Sequence, residues 1–256
     1  MAGLTVLLRK ELLESWRTYR LPVVAGLFLF VGLSSPLLAR YLPEILEAAG
    51  GDQFGGLQLP TPTAADAVDQ LWKNLAQFGA FAAIILAMGA VAGEKDRGTA
   101  AFVLSKTASR GGFLGAKVVA IAAVLGIGTV LAVVVGWIYT AILFAPPSVP
   151  GWIALGVLAW LGLGAWAAIT FLGSTVTGST AAAAGIGFMA LLLVSIVSAV
   201  PSVTPYSPGG LAGPAIALAA GAPVAPGDVL LPMLSTIVLI AIALGAAAWS
   251  FRRQEL

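Results

Sequence analysis

The 256-residue chain is 59% hydrophobic and only 9% charged, with a mean hydropathy of +1.01 and a net charge of +2. Soluble domains carry about a quarter charged residues, so this composition describes a polytopic membrane protein and excludes a large soluble core. The absence of cysteine and histidine excludes disulfides, iron–sulfur and Cys/His zinc sites, haem held by either residue, and Ser-His or Cys-His nucleophiles. No Gly-x-x-x-x-Gly-Lys-Ser/Thr loop offers a route to ATP, and the basic residues form no nucleic-acid stripe.

Residues 4–20 read as a helix lying on the membrane. At 100° per residue, Leu4, Leu8, Leu12, Trp16 and Tyr19 share one face, and Arg9, Lys10, Glu14 and Arg17 the other. That pattern describes an interfacial helix; the same residues would also serve as a charged flank that anchors topology. Glu11 and Glu14 among the basic residues, with no small-residue cleavage site after the apolar run, argue against a cleavable signal. Pro22 is expected to break this helix before the first span.

A spanning helix needs about 20 apolar residues. Six segments qualify: 21–39, 75–93, 118–145, 152–173, 181–200 and 229–251. The third is long enough to tilt, and five- or seven-span readings are the alternatives. Residues 40–74 form an outer loop with Glu44, Glu47, Asp52, Asp66 and Asp69, whose spacings match no calcium loop. Thr63 is a candidate N-cap for a helix entering the second span. Pro146-Pro147-Ser148-Val149-Pro150 separates the third and fourth spans, and residues 174–180 the fourth and fifth. Residues 201–228 hold six prolines around the apolar run 211–220, which is too short to span. They form either a re-entrant segment or an apolar outer loop.

Lys and Arg fix the expected orientation. With the N-terminus inside, Arg9, Lys10, Arg17, Arg20, Lys95, Arg97, Lys106, Arg110, Lys117, Arg252 and Arg253 lie inside, and only Arg40 and Lys73 outside. Both termini and residues 94–117 are therefore expected in the cytoplasm, with the chain a multi-pass protein of the cell membrane.

Within the spans, ionisable residues are nearly absent. From Val118 to Phe251 the only charge is Asp228, at the outer edge of the sixth span. Ion coupling and proton relays need ionisable groups inside the membrane, and an ion filter needs rings of charge or carbonyls. Nothing here supplies a catalytic residue or a metal site. Small residues (Gly162, Gly164, Gly187, Gly245 and the run 181–185) permit close helix packing without locating an interface. Trp137, Tyr139, Trp160 and Trp166 suit an interfacial belt or a path.

The one charged island is Gly93-Glu94-Lys95-Asp96-Arg97-Gly98-Thr99, running on to Lys106, Arg110 and Lys117. Gly98 permits a sharp turn. Residues 99–105 then read as a short helix carrying Phe102, Val103 and Leu104, and Phe113 restarts a helix toward the third span. Basic residues here also enforce topology and meet lipid phosphates, but the mixed signs exceed what topology requires.

Glu94-Lys95-Asp96-Arg97-Gly98-Thr99, Leu104-Ser105, Ser109-Arg110 and Lys117 resemble the loop between the second and third spans of type-2 ATP-binding cassette (ABC) transporter permeases. Ala108 stands where that family often has proline, and Ala100-Ala101 where Leu-Glu is common. The resemblance implies an all-α, six-span permease domain over 1–256, with an elbow helix (Arg9, Lys10, Glu14, Trp16, Arg17) and a cytoplasmic coupling helix. It implies that Glu94, Asp96, Arg97, Gly98, Thr99, Phe102, Leu104, Arg110 and Lys117 couple the chain to an ATPase. Glu94 and Asp96 would pair with basic groups on that ATPase or with Arg17 or Arg20. ATP and Mg would bind two copies of the partner ATPase, none binding this chain, which is not itself an enzyme. A second permease subunit, identical or different, would complete an exporter in the lipid bilayer. The rival expectations are a non-transporting assembly factor or sensor on the same scaffold, and an energy-independent channel.

Overall fold

The computed structural model describes residues 2–48, 61–98 and 109–254. Among these residues the fold is all-α, with six helices long and apolar enough to cross a membrane. The chain opens with α1 (Ala2–Arg17) and the first long helix, α2 (Arg20–Ala48). The second crossing is composite: α3 (Ala64–Asn74), a π-turn (Leu75–Gly79), α4 (Ala80–Met88) and the short α5 (Ala92–Asp96). Then follow α6 (Arg110–Leu143), α7 (Val149–Val176), α8 (Thr180–Ser198), two 3-10 turns (Thr204–Tyr206 and Pro208–Leu211), α9 (Ala212–Ala219) and α10 (Pro226–Arg252).

Local chemistry sets the helix starts. Thr63 starts α3 with a capping box: its N–H donates to the Asp66 carboxylate at 2.7 Å and its side chain accepts from the Asp66 N–H, while the hydroxyl also donates to that carboxylate at 2.7 Å. Ser109, Ser148 and Ser179 start α6, α7 and α8, each hydroxyl accepting from a backbone N–H three residues on. Pro226 opens α10, where its missing N–H leaves nothing unpaired.

Two expectations need correction. The first helix does not end at Pro22. It breaks at Thr18-Tyr19, where Tyr19 takes φ +60. Pro22 lies in the first turn of α2, a position that needs no intrahelical N–H donor. The loop expected over 40–74 is also shorter than read, because helix continues to Ala48 and resumes at Ala64.

The core begins with a stripe on α2. Val24, Phe28, Val31 and Ser35 recur at helical spacing and are all buried. They face α6, where Gly128, Ala132 and Gly136 stand one turn apart. A Cβ on Gly32 would lie 2.5 Å from the Ala132 carbonyl oxygen, and one on Gly128 3.0 Å from the Phe28 ring. This small-residue seam lets the two backbones nearly touch. Only Gly187, of the glycines named from sequence, sits in a comparably tight place, against Thr170 and Ile84.

Helix α7 is the hub, packing against α4, α6, α8, α9 and α10. The segment 201–228 is not a loose apolar loop. Leu211, Ala215 and Ala219 are fully buried, and α9 lies on α7 and α3. Gly151 makes this contact possible, since a Cβ there would stand 1.9 Å from the Leu218 carbonyl oxygen. Trp137 and Trp160 are tied to backbone, Nε1 of each donating to the carbonyls of Pro147 and Ala122 at 3.2 and 2.9 Å.

Candidate functional site

The most polar buried chemistry lies where α1, α5 and the start of α6 converge, at the end of the bundle that holds most of the basic residues. A break in the second crossing creates the place. The helix stops at Gly89 and restarts as α5. The N–H groups of Val91 and Ala92 would be orphaned there, but both donate to Ser174 Oγ on α7 at 3.0 Å. Ser174→Ala is therefore expected to destabilise α5 by about 1–3 kcal/mol. Hydrogen exchange at residues 91 and 92 checks this: unchanged protection would mean that the hydroxyl does not hold the break.

From α5, Glu94 points inward. Its Oε1 lies 2.6 Å from Lys117 Nζ on α6 and 3.2 Å from Lys10 Nζ on α1. Lys117 Nζ also reaches Glu11 Oε1 at 3.1 Å, and Lys10 Nζ reaches Glu11 Oε1 and Glu14 Oε2, each at 3.0 Å. Three carboxylates and two ammonium groups thus tie together segments more than 80 residues apart. Glu11, Glu94 and Lys117 are 8%, 6% and 4% exposed. The three carboxylates offer oxygens within 4.8 Å of one another, and the ammonium groups supply the opposing charge. Partial burial pulls the Lys10 pKa down, but the Glu11, Glu14 and Glu94 carboxylates outweigh it and leave the pKa raised. For Glu14 burial is the largest single influence and works upward, but Lys10, Lys117 and Arg20 together outweigh it, so its carboxyl sits below the usual range.

Around this cluster the bundle end is stitched further. Lys95 Nζ and Gln254 Nε2 both donate to the Thr175 carbonyl at the end of α7. Arg110 Nη1 donates to the carbonyls of Phe251 and Arg252 at 3.2 and 2.7 Å, meeting the C-terminal end of α10 with a cation. Phe113 stacks on Phe251, with centroids 5.7 Å apart and planes 9° from parallel.

The residues expected to couple therefore sort into two sets. Glu94 and Lys117 face inward, and Glu94 has Lys10 and Lys117 as partners, whereas Arg17 is exposed. Asp96, Arg97 and Gly98 are exposed, with Gly98 at φ +67 in the expected turn. Arg97 folds back along α5, its Nε donating to the Gly93 carbonyl at 2.8 Å. Thr99, Phe102, Leu104, Ala108 and the helix expected over 99–105 lie outside the described residues. On α1, Arg9 and Trp16 are exposed, and Glu14 is half-buried. Sequence reasoning missed Glu11 and Ser174. Glu11 carried a weak signal: with Leu8 and Ser15 it makes a second stripe at helical spacing. Ser174 carried none, since its role depends on a break 83 residues earlier.

Over 203 residues, 77% of each chain, the sequence is 30% identical to a Bacillus subtilis (strain 168) protein, YxlG, described as an uncharacterized transmembrane protein. Residues 5–208 match the family model described as ABC-2 family transporter protein. That match takes in α1, the charge cluster and five of the six crossings, and the chain accordingly belongs to the ABC-2 family of membrane transporter proteins.

Proposed function

We propose that this chain is the membrane-spanning permease subunit of an exporter driven by ATP hydrolysis on a separate ATPase. One observation carries the reading: the buried charge cluster clamps α1, α5 and α6 to one another, while Asp96 stays exposed beside it. Helices clamped this way share a push, so one delivered to α5 or α6 reaches all three. With few ionisable residues in the spans, the chain has no ion-coupled source of energy of its own. The basic end faces the cytoplasm of the cell membrane, and both termini with it. Two permease subunits and two ATPase subunits form the working unit, with ATP and Mg bound by the ATPase.

The test is affinity purification of the tagged chain from its own membranes, assayed for a co-purifying ATPase. A stoichiometric ATPase is the expected result. Asp96→Lys reverses an exposed charge at the docking edge and is expected to weaken retention of that ATPase about tenfold, leaving the permease folded. A partner-free preparation across several mild detergents would sink the reading and favour a channel. A bound ATPase with no flux in vesicles would favour a sensor or assembly factor.

A further inference from the structure

A cleft of about 550 Å³ opens between α2 and the α4–α5 arm of the second crossing. Its two ends differ in chemistry. Arg20, at the start of α2, and Arg97, just beyond α5, stand at the basic end. Leu27, about 10 Å along α2 at 1.5 Å per residue, and Phe78, Phe81 and Ile85 on the opposite wall make the rest apolar. No carboxylate lines the cleft. Among the described residues neither guanidinium is in an ion pair, and Arg97 commits only its Nε, to Gly93.

Two cations at the mouth of an apolar furrow in a membrane-spanning bundle call for a ligand with an anionic head and a long apolar tail. Guanidinium groups take phosphate oxygens in a planar, bidentate fashion. A free phosphate would leave the furrow beyond the mouth unfilled. Among the described residues a second copy offers a single exposed acid at this end to meet two arginines: Glu11, Glu14 and Glu94 are held by lysines, which leaves Asp96. We propose that the α2/α4 cleft binds an anionic glycerophospholipid of the adjoining leaflet, with its phosphate on Arg20 and Arg97 and an acyl chain along Leu27, Phe81 and Ile85. Arg97 then serves a lipid and not a protein partner.

The experiment uses the full chain, delipidated in detergent, with native mass spectrometry during titration with dioleoyl phosphatidylglycerol or dioleoyl phosphatidylcholine. The native chain is expected to retain the anionic lipid about tenfold better, the scale of one or two basic contacts to an anionic lipid. Arg20→Gln with Arg97→Gln abolishes that preference, whereas Arg253→Gln, exposed beyond α10, keeps it. Ile85→Trp, at a position 57% exposed and tolerant of bulk, fills the furrow and lowers retention without touching the charges. Inorganic phosphate at the lipid's concentration does not compete. Equal retention of the two lipids overturns the proposal, as does a preference that survives the double replacement. Displacement by phosphate reduces the site to a simple anion site, and an Ile85→Trp effect on dimer content in place of lipid assigns the cleft to a second copy. The measurement needs neither ATP nor an ATPase, so its failure is separable from failure of the transport reading.

Discussion

Lys117→Met is expected to destabilise the folded chain by about 3–5 kcal/mol, the cost of removing one partner from a buried ion pair. The replacement keeps an unbranched apolar stem, one atom shorter, and removes the charged ammonium with the hydrogen bonds it donates. Glu94 and Glu11, which face that ammonium at 2.6 and 3.1 Å, would then lose their closest buried cation and keep the more exposed Lys10, in a place from which water is largely excluded. Lys10→Met is expected to cost under about 1 kcal/mol, because the Lys10 side chain is 43% exposed and solvent already screens its pairs. The distinguishing control is Lys117→Met combined with Glu94→Gln and Glu11→Gln. A neutral buried cluster restores most of the loss, since the penalty comes from uncompensated charge and not from lost packing. Thermal unfolding in detergent reads all three. If Lys117→Met melts with the native chain, the cluster is not the clamp described above; if the triple variant recovers nothing, Lys117 acts through its contact with the Phe113 ring, 5.0 Å away.

The second large effect belongs to a residue with no side chain. At Gly151 an added Cβ would sit 1.9 Å from the Leu218 carbonyl oxygen and 3.0 Å from the Ala219 Cα. Both obstacles are backbone, so no rotamer change relieves them, and α9 must move off α7. Gly151→Ala is expected to cost about 2–3 kcal/mol, the upper range for overpacking. Gly245→Ala is the matched comparison: that position is also helical, but nothing lies within 4 Å of its added methyl. Alanine is the better helix former by up to about 1 kcal/mol, so Gly245→Ala is expected to be neutral or stabilising. Equal melting of the two alanine variants would show that α9 does not depend on close approach to α7.

These two sites show what a sequence discloses and what it withholds. The six crossings were legible because each is a long apolar run, and the charged island because nothing else in the chain resembles it. Helix bounds were less so. Apolar runs mark where a helix is greasy, whereas capping chemistry at Thr63, Ser109 and Ser148 sets where it starts. Partners were the least legible. Glu94 offers the same carboxylate to an ATPase, to Arg17 or to Lys117, and only the relative placement of α1, α5 and α6 selects among them. Gly151 likewise resembles the other glycines until α9 is seen against it. Burial of a charge and close approach of two backbones are properties of pairs distant in sequence, and they leave no local pattern.

The stitching of the last helix to the loop's flank also bears on the timing of synthesis. A chain emerges N-terminus first. The Arg110 guanidinium must wait for carbonyls 141 and 142 residues downstream, and the Thr175 carbonyl for Gln254, 79 residues on. A nascent chain whose first five crossings have already inserted therefore still carries an unfinished end of the bundle. Arrival of the final crossing supplies the missing partners, so that end of the bundle closes only near the end of the chain's own translation.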